Sequence, residues 1–400
     1  MKAVILAAGE GTRMRPLTYT RPKVMLPVAN RPILEHLVRE LCAVGIREFI
    51  MVVGYHDEQV RDYFQHGEKW DVRIEYVNQR SQLGTADALR QLQQLAGARF
   101  LVVNGDAILR RDDLAGFLKS RGNAMGVYEV SNPRGLGVVE TDGKKLVRIY
   151  EKTDNPPSRL ANIGLYLFNQ EIFAAIADTP QSLRGEYEIT DSIQLLVERG
   201  WPVWCRPISY WLDLSRPWDL LSANEQLLKD LPEENRGEIE PGAYIKGPVQ
   251  IGEHSLVRSG SYIEGPVIIG AHCDIGPHCF IRPATTIGDH CHIGAGVELK
   301  NSIVMRGSKI PHLNYVGDSV IGADCNLGAG TIIANLKLDK KNIMIEGVDT
   351  GRRKLGAIMG DHVEVGINAS INVGCVIGNN TLIGPGAVAS GVIAPRSRRF

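Results

Sequence analysis

Up to about residue 230, short apolar runs alternate with amphipathic stretches. Residues 3–7, 49–53 and 100–103 are continuously apolar and short, as strands buried on both faces are. Residues 32–44, 57–64 and 85–95 repeat their apolar positions at helical spacing. Such alternation predicts a parallel α/β sheet with right-handed crossovers. Ligands of open sheets sit beyond the carboxyl ends of the strands, where the loop 9–13 and Asp106 fall.

After Glu234 the period changes. Apolar residues recur every six positions from Ile239 through Ile245, Ile251, Val257, Ile263 and onward to Leu299. The phase resumes at Ile321 and again at Val365. A helix repeats at 3.6 residues and a strand at 2, so neither explains six; hexapeptide repeats of a β-helix do, three hexads closing one triangular coil. Four places after each key residue runs a second column, including Ser255, Ser261, Cys273, Cys279, Thr285 and Cys291. Two stretches break the period, 301–318 and about 336–360, and both are expected to project as insertions from one face. The polar stretch around Pro232 reads as a linker. The pattern predicts a first domain over 1–230, a linker at 231–237 and a β-helix over 238–400.

Composition narrows the partners. Four hundred residues exceed one compact core. Forty-five basic against forty-five acidic side chains leave no net field for a nucleic acid. No apolar stretch approaches the ~20 residues of a membrane span, and the start Met1-Lys2-Ala3-Val4-Ile5-Leu6 reads as a buried strand rather than a signal peptide. Seven scattered cysteines suit reduced thiols in the cytoplasm. The pairs His272-Cys273, His278-Cys279 and His290-Cys291 invite a zinc reading, but these cysteines fill slots that serine and threonine fill elsewhere. Packing is therefore the expectation.

The strand 3–7 runs into Gly9-Glu10-Gly11-Thr12-Arg13. Glycines let backbone amides approach a triphosphate, and a guanidinium adds a planar cation. The loop is not a Walker loop and lacks the third glycine of a dinucleotide fingerprint. A plain strand-to-helix turn would leave Arg13 and Pro22-Lys23 unexplained.

Together with Arg21-Pro22-Lys23, Leu26-Pro27, Gln79, Gln82-Leu83-Gly84-Thr85, Asn104-Gly105-Asp106, Glu151-Lys152, Asn162-Ile163-Gly164 and Trp211-Leu212-Asp213, the loop closely resembles the sugar-nucleotidyltransferase family. The resemblance implies a Rossmann-like domain with a mainly parallel sheet. It implies that Leu6, Ala8, Gly9, Gly11, Thr12, Gln79, Gly84 and Thr85 hold the nucleotide. Arg13 and Lys23 would be the catalytic cations, Asp106 and Asp213 the ligands of Mg2+, and Gly137, Glu151 and Asn162 the sugar contacts. The implied substrates are a sugar 1-phosphate and a nucleoside triphosphate, UTP or dTTP; Asp213 looks like the thymidylyl enzymes. The competing readings are helix caps at Asp106 and Asp213 and a surface ion pair at Glu151.

Within the repeats, residues 309–318 around His312, followed by Asn326-Leu327-Gly328-Ala329-Gly330-Thr331 and Asn335, resemble amino-sugar-1-phosphate N-acetyltransferases, whose fold is a left-handed parallel β-helix. The implied co-substrate is acetyl-CoA. His312 would be the general base, a role that suits an imidazole near neutral pH. Asn335 would orient the amine, and Arg282, Lys300, Tyr315 and Lys341 would hold the sugar phosphate. Leu336 and Gly351-Arg352-Arg353-Lys354-Leu355-Gly356 look like archaeal bifunctional relatives, which leaves glucosamine 1-phosphate or galactosamine 1-phosphate as acceptor. The family is implied to form homotrimers. One alternative is a thymidylyl- or uridylyltransferase with a structural β-helix; another is a non-enzymatic sugar-nucleotide sensor, which intact Arg13, Lys23, Asp106 and Asp213 argue against.

Overall fold

The computed structural model describes residues 1–79, 81, 83–151 and 155–400. It divides into two compact units: Met1–Glu10, Pro22–Met25 and Ile33–Asp213 form the first, and Gly11–Arg21, Leu26–Pro32 and Leu214–Phe400 the second.

The first unit is built on a nine-stranded sheet. Strands Arg73–Asn78, Glu48–Val53, Lys2–Ala7 and Arg99–Asn104 are neighbours in that order and parallel. Leu160–Asn169, Asn123–Glu129, Val203–Pro207, Lys145–Tyr150 and Val138–Asp142 continue the sheet. Only Leu160–Asn169 and Lys145–Tyr150 run against the rest. Helices Ile33–Ala43, Asp57–Phe64 and Thr85–Arg90 stand where amphipathic spacing places them. The third is shorter than its pattern, because residues beyond Arg90 continue as turns with Leu92 still buried. Both sheet faces are covered, one around Ile5, Phe49 and Leu101 and the other around Val4, Ile50 and Phe100. Burial on both faces explains why these strands read as unbroken apolar runs.

The second unit carries the hexads. Three sheets of nine, nine and eight strands, all paired in parallel, wind as a β-helix. The key residues stack into one core: Ile251, Ile269, Ile287, Val304 and Ile321 lie one above the other. Cys273, Cys291 and Cys325 are buried in that core. The Sγ atoms of Cys273 and Cys291 lie 3.1 and 3.2 Å from the Gly288 and Met305 carbonyl oxygens. The adjoining His272, His278 and His290 are exposed, so cysteine and histidine do not share a side of the coil.

The first break in the period is not an insertion, which corrects the expectation for 301–318. Coils of 18 residues, Ile251 to Ile269 to Ile287, give way to coils of 17, Ile287 to Val304 to Ile321. The residue is lost at one corner of two successive coils, after Leu299 and after Val316, and the strands keep pairing through it. The second break is an insertion at that same corner of the next coil. It carries the hairpin Met344–Ile345 and Val348–Asp349, and Ile321 pairs with Met359 beyond it.

Candidate active sites

In the first unit the end of strand Lys2–Ala7 is flanked closely on both sides. The Leu6 carbonyl oxygen accepts from Gly105 N at 2.9 Å, and that of Ala8 from Tyr55 N at 3.2 Å. A Cβ on Gly105 or Gly54 would lie 3.0 Å from those same oxygens, so glycine is what lets the strands meet there. Asp106 therefore emerges beside the end of the first strand. Lys23, on the short turn Lys23–Met25, forms an ion pair with Asp106. Asp213 is brought over by a second, two-stranded ladder in which Trp211 faces Leu109 and Leu212 faces Ile108. Asp213 directly follows this ladder on one strand, and Asp106 precedes it by two residues on the other. Asp113 holds the approach to this ladder by accepting from Ser209 N, Ser209 Oγ and Tyr210 N at 2.9, 2.9 and 3.0 Å.

This donor set fits magnesium. Among the described residues no group of three or more His, Cys, Asp or Glu side chains gathers as a metal cage. A carboxylate paired with a lysine, with a second carboxylate at the end of the adjoining ladder, suits a hard ion that takes its remaining ligands from phosphate oxygens and water.

The predicted base contacts meet one another. Gln79 is buried, and its Nε2 donates to the Gly84 carbonyl at 2.9 Å and to Asp87 Oδ2 at 3.2 Å. Gly84 has φ 109°, and a Cβ there would collide with the Tyr187 backbone oxygen at 2.4 Å. Thr85 also supports the fold, since its Oγ1 accepts from Ile189 N, at 2.9 Å, at the start of helix Ile189–Glu198. Gln82 lies outside the described residues, as does Lys152. The predicted sugar contacts converge too. Asn162 N donates to the Gly137 carbonyl at 2.8 Å, and Glu151 Oε2 lies 2.8 Å from where a Gly137 Cβ would be. The Asn162 amide donates to the Tyr166 hydroxyl at 2.8 Å, and burial pushes that phenol far up. Thr12 and Arg13 belong to the second compact unit, where Arg13 follows the left-handed Gly11 on a single 3-10 turn. There both line a cavity of about 710 Å³ with Arg15, Tyr19, Arg216, Trp218 and Glu346.

The second constellation sits at the β-helix corner where the coils shorten. Parallel register puts Glu298 beside Tyr315 and Lys300 beside Gly317. At the corner Asp318, only 3% exposed, gathers its neighbours. Its Oδ2 accepts from Lys300 Nζ at 3.0 Å and from Asn335 Nδ2 at 2.5 Å, and its Oδ1 accepts from Asn301 Nδ2 at 2.8 Å. Asn335 also donates to the Tyr315 hydroxyl at 3.1 Å. Burial first, then the Asp318 charge, pushes the Tyr315 phenol above its ordinary value. Gly317 has no room for a side chain, because Asn335 Nδ2 and Tyr315 OH each lie 2.6 Å from where its Cβ would be. Arg282 sits in the adjacent coil, held by Glu298 Oε1 at 2.9 Å. His312 ends the strand Lys309–His312 at the preceding corner; it is exposed and, among the described residues, its side chain makes no hydrogen bond. Lys341 is on the exposed inserted segment and joins none of these contacts.

A nucleotidyl transferase family model matches residues 2–230, and a GMPPB C-terminal domain model matches residues 263–368. The "Bifunctional protein GlmU" of Methanocaldococcus jannaschii is 42% identical over 96% of this chain and 93% of its own length. The chain belongs to the nucleotidyl transferase family, in its bifunctional branch. The "Bifunctional sugar-1-phosphate nucleotidylyltransferase/acetyltransferase" of Sulfurisphaera tokodaii is 40% identical over 98% of this chain and 97% of its own. Among solved structures, a Bacillus anthracis protein assigned as a glucose-1-phosphate thymidylyltransferase, crystallised with sucrose, is 30% identical with a TM-score of 0.53. It covers 59% of this chain and 98% of its own.

Two residues of this bifunctional nucleotidyl transferase escaped sequence reasoning. Asp318 is the hub of the second cluster, and Glu298 is the anion that orients Arg282. The signal for Asp318 was its place beside the shortened hexad, where a carboxylate stands between a glycine and a serine.

Proposed function

We propose that the chain makes UDP-N-acetylglucosamine-type nucleotide sugars in two steps. Residues 238–400 would acetylate glucosamine 1-phosphate, with galactosamine 1-phosphate as a second acceptor, from acetyl-CoA. Residues 1–230 would then join the sugar 1-phosphate to UTP or dTTP. The observation that carries the reading is the Lys23–Asp106 ion pair at the end of the first strand, supported by the ladder of Trp211–Leu212 on Ile108–Leu109, which Asp213 directly follows. The names of the full-length relatives support both halves.

In nucleotidyl transfer a sugar-phosphate oxygen attacks the α-phosphorus in line; the new P–O bond forms as the bond to the β-phosphate bridging oxygen breaks, and pyrophosphate leaves. Asp106 and Asp213 would hold magnesium, which supplies charge neutralisation for the phosphates when bound. Lys23 pairs with Asp106 in the resting site and is placed to turn its ammonium toward phosphate oxygens. Gly137, Glu151 and Asn162 position the sugar, and Gln79 and Gly84 shape the floor for the base. Because this chemistry needs no protein nucleophile, positioning and charge carry it.

In acetyl transfer the amino group attacks the thioester carbonyl; the amide C–N bond forms, the C–S bond breaks and the thiol leaves with a proton. Lys300, Tyr315 and Asn335 form one polar wall for the sugar phosphate, with Arg282 one coil away. His312 is exposed at the preceding corner, ready to receive the amine proton. A homotrimer, with His312 and the Lys300 wall completing a site across neighbouring prisms, is part of this proposal.

The test is a pair of assays on the purified protein: free-thiol release from acetyl-CoA with glucosamine 1-phosphate, and pyrophosphate release from UTP or dTTP with N-acetylglucosamine 1-phosphate and Mg2+. Both are expected. No thiol release with either amino sugar, alongside normal pyrophosphate release, would leave a nucleotidyl transferase with a structural β-helix.

A further inference from the structure

The segment Gly11–Arg21 packs as part of the second unit, and one of its contacts is charged and buried. Asp361, on the β-helix, is 2% exposed, and it forms an ion pair with Arg21. The same Oδ2 accepts from Thr20 Oγ1 at 2.6 Å, and Arg21 Nη1 lies 3.0 Å from the Met305 sulfur. The other oxygen, Oδ1, accepts from Ala323 N at 2.8 Å.

The β-helix contains its own control for this arrangement. Asp289 stands one residue after Gly288 as Asp361 stands after Gly360, and its Oδ1 accepts from Ala271 N at the same 2.8 Å. Asp289 is exposed. One carboxylate oxygen is therefore the coil's ordinary corner cap, and what sets Asp361 apart is burial plus a second oxygen given to Thr20 and Arg21. A buried ion pair adds little net stability against an apolar pair of similar shape, and its best-attested use is to fix a register. Here the register fixed is that of Arg21. Lys23 follows two residues later, at most about 7 Å away along the chain, past a proline with locked φ. The turn closes when Met25 N donates to the Pro22 carbonyl at 2.9 Å. Lys23 is the residue that meets Asp106.

We propose that Asp361 is a positioning residue for nucleotidyl transfer: through Arg21 and Thr20 it sets the turn that presents Lys23. The idea rests on the nucleotidyl-transfer reading above, and it makes one activity depend on a β-helix side chain distant in sequence from every residue of that reaction.

Asp361→Asn retains an oxygen for Ala323 N and removes the charge that holds Arg21. In the full-length enzyme we expect kcat for pyrophosphate release to fall about 10-fold or more, since small misplacement of a catalytic group is costly. KM for the triphosphate and the sugar phosphate should stay within about 2-fold, because uniform binding is untouched. Thiol release should keep its wild-type value, the melting temperature should fall because the Arg21 guanidinium loses its buried partner, and Asp289→Asn should alter neither activity. Arg21→Gln approaches the same contact from the loop and serves if Asp361→Asn does not fold. The double variant should be no slower than the worse single one, as residues acting through one contact are not additive. Wild-type kcat in a folded Asp361→Asn or Arg21→Gln enzyme would overturn the proposal, as would a loss confined to KM or additive losses in the double variant. Absence of pyrophosphate release from the wild type would instead sink the nucleotidyl-transfer reading itself.

Discussion

The two constellations use carboxylates in opposite ways. Asp106 keeps about a third of its side chain exposed (34%) and is paired with one lysine. Asp318 is nearly sealed and is wrapped by a lysine and two amides. A carboxylate left accessible beside a second one suits a hard cation and its phosphate ligands. A carboxylate consumed by its own protein serves as scaffold, since burying it unpaired would be costly. The first cluster thus keeps a carboxylate open to a ligand, and the second is closed on its own partners.

Changes that break this contrast rank as follows. Asp106→Asn or Asp213→Asn should cut pyrophosphate release by more than about 100-fold while thiol release continues, because the phosphates lose a ligand to their counter-ion. Equal losses in both assays would remove the division of labour. His312→Ala should lower thiol release about 100-fold or more through loss of the base. Its melting temperature should not move, because the exposed side chain holds nothing up. Lys300→Met goes further toward the fold: leaving Asp318 uncompensated should cost about 3–5 kcal/mol in denaturant unfolding. An unchanged unfolding midpoint would mean that Asp318 is not the hub. The smallest effect concerns the buried thiols. Burial pushes Cys273 up to about 11 and Cys325 and Cys375 up to about 12, so the reactive thiolate is scarce at neutral pH. Native protein should leave these cysteines unlabelled by a disulfide reagent at pH 7.5 until unfolded; rapid labelling would contradict their place in the core.

The core was the legible part, for a physical reason. A hexad repeats one packing decision many times, so Ile251, Ile269 and Ile287 announce themselves by spacing alone. Strands buried on both faces, such as Lys2–Ala7, write unbroken apolar runs. What escaped depends on single residues. The coils through Val304 and Ile321 lose one residue each at a corner, which in sequence looks the same as the start of an insertion; only strand register tells them apart. Strand Leu160–Asn169 runs against its neighbours, and nothing in its composition carries direction. Helix Thr85–Arg90 stops early although Leu92 keeps the apolar phase. Thr85 reads as a substrate contact from its motif, while its hydroxyl also begins a later helix. Asp318 and Asp361 are charged residues in a hexad column, and burial alone reveals what they hold.

The most direct test of two sites in one chain is the mass of the nucleotide sugar formed from glucosamine 1-phosphate, acetyl-CoA, UTP and Mg2+ in one vessel. The expected product carries one acetyl group, and the His312→Ala enzyme should form it only when N-acetylglucosamine 1-phosphate is supplied instead. A wild-type product without the acetyl group, or an acetylated one undiminished by His312→Ala, would contradict the two-site reading.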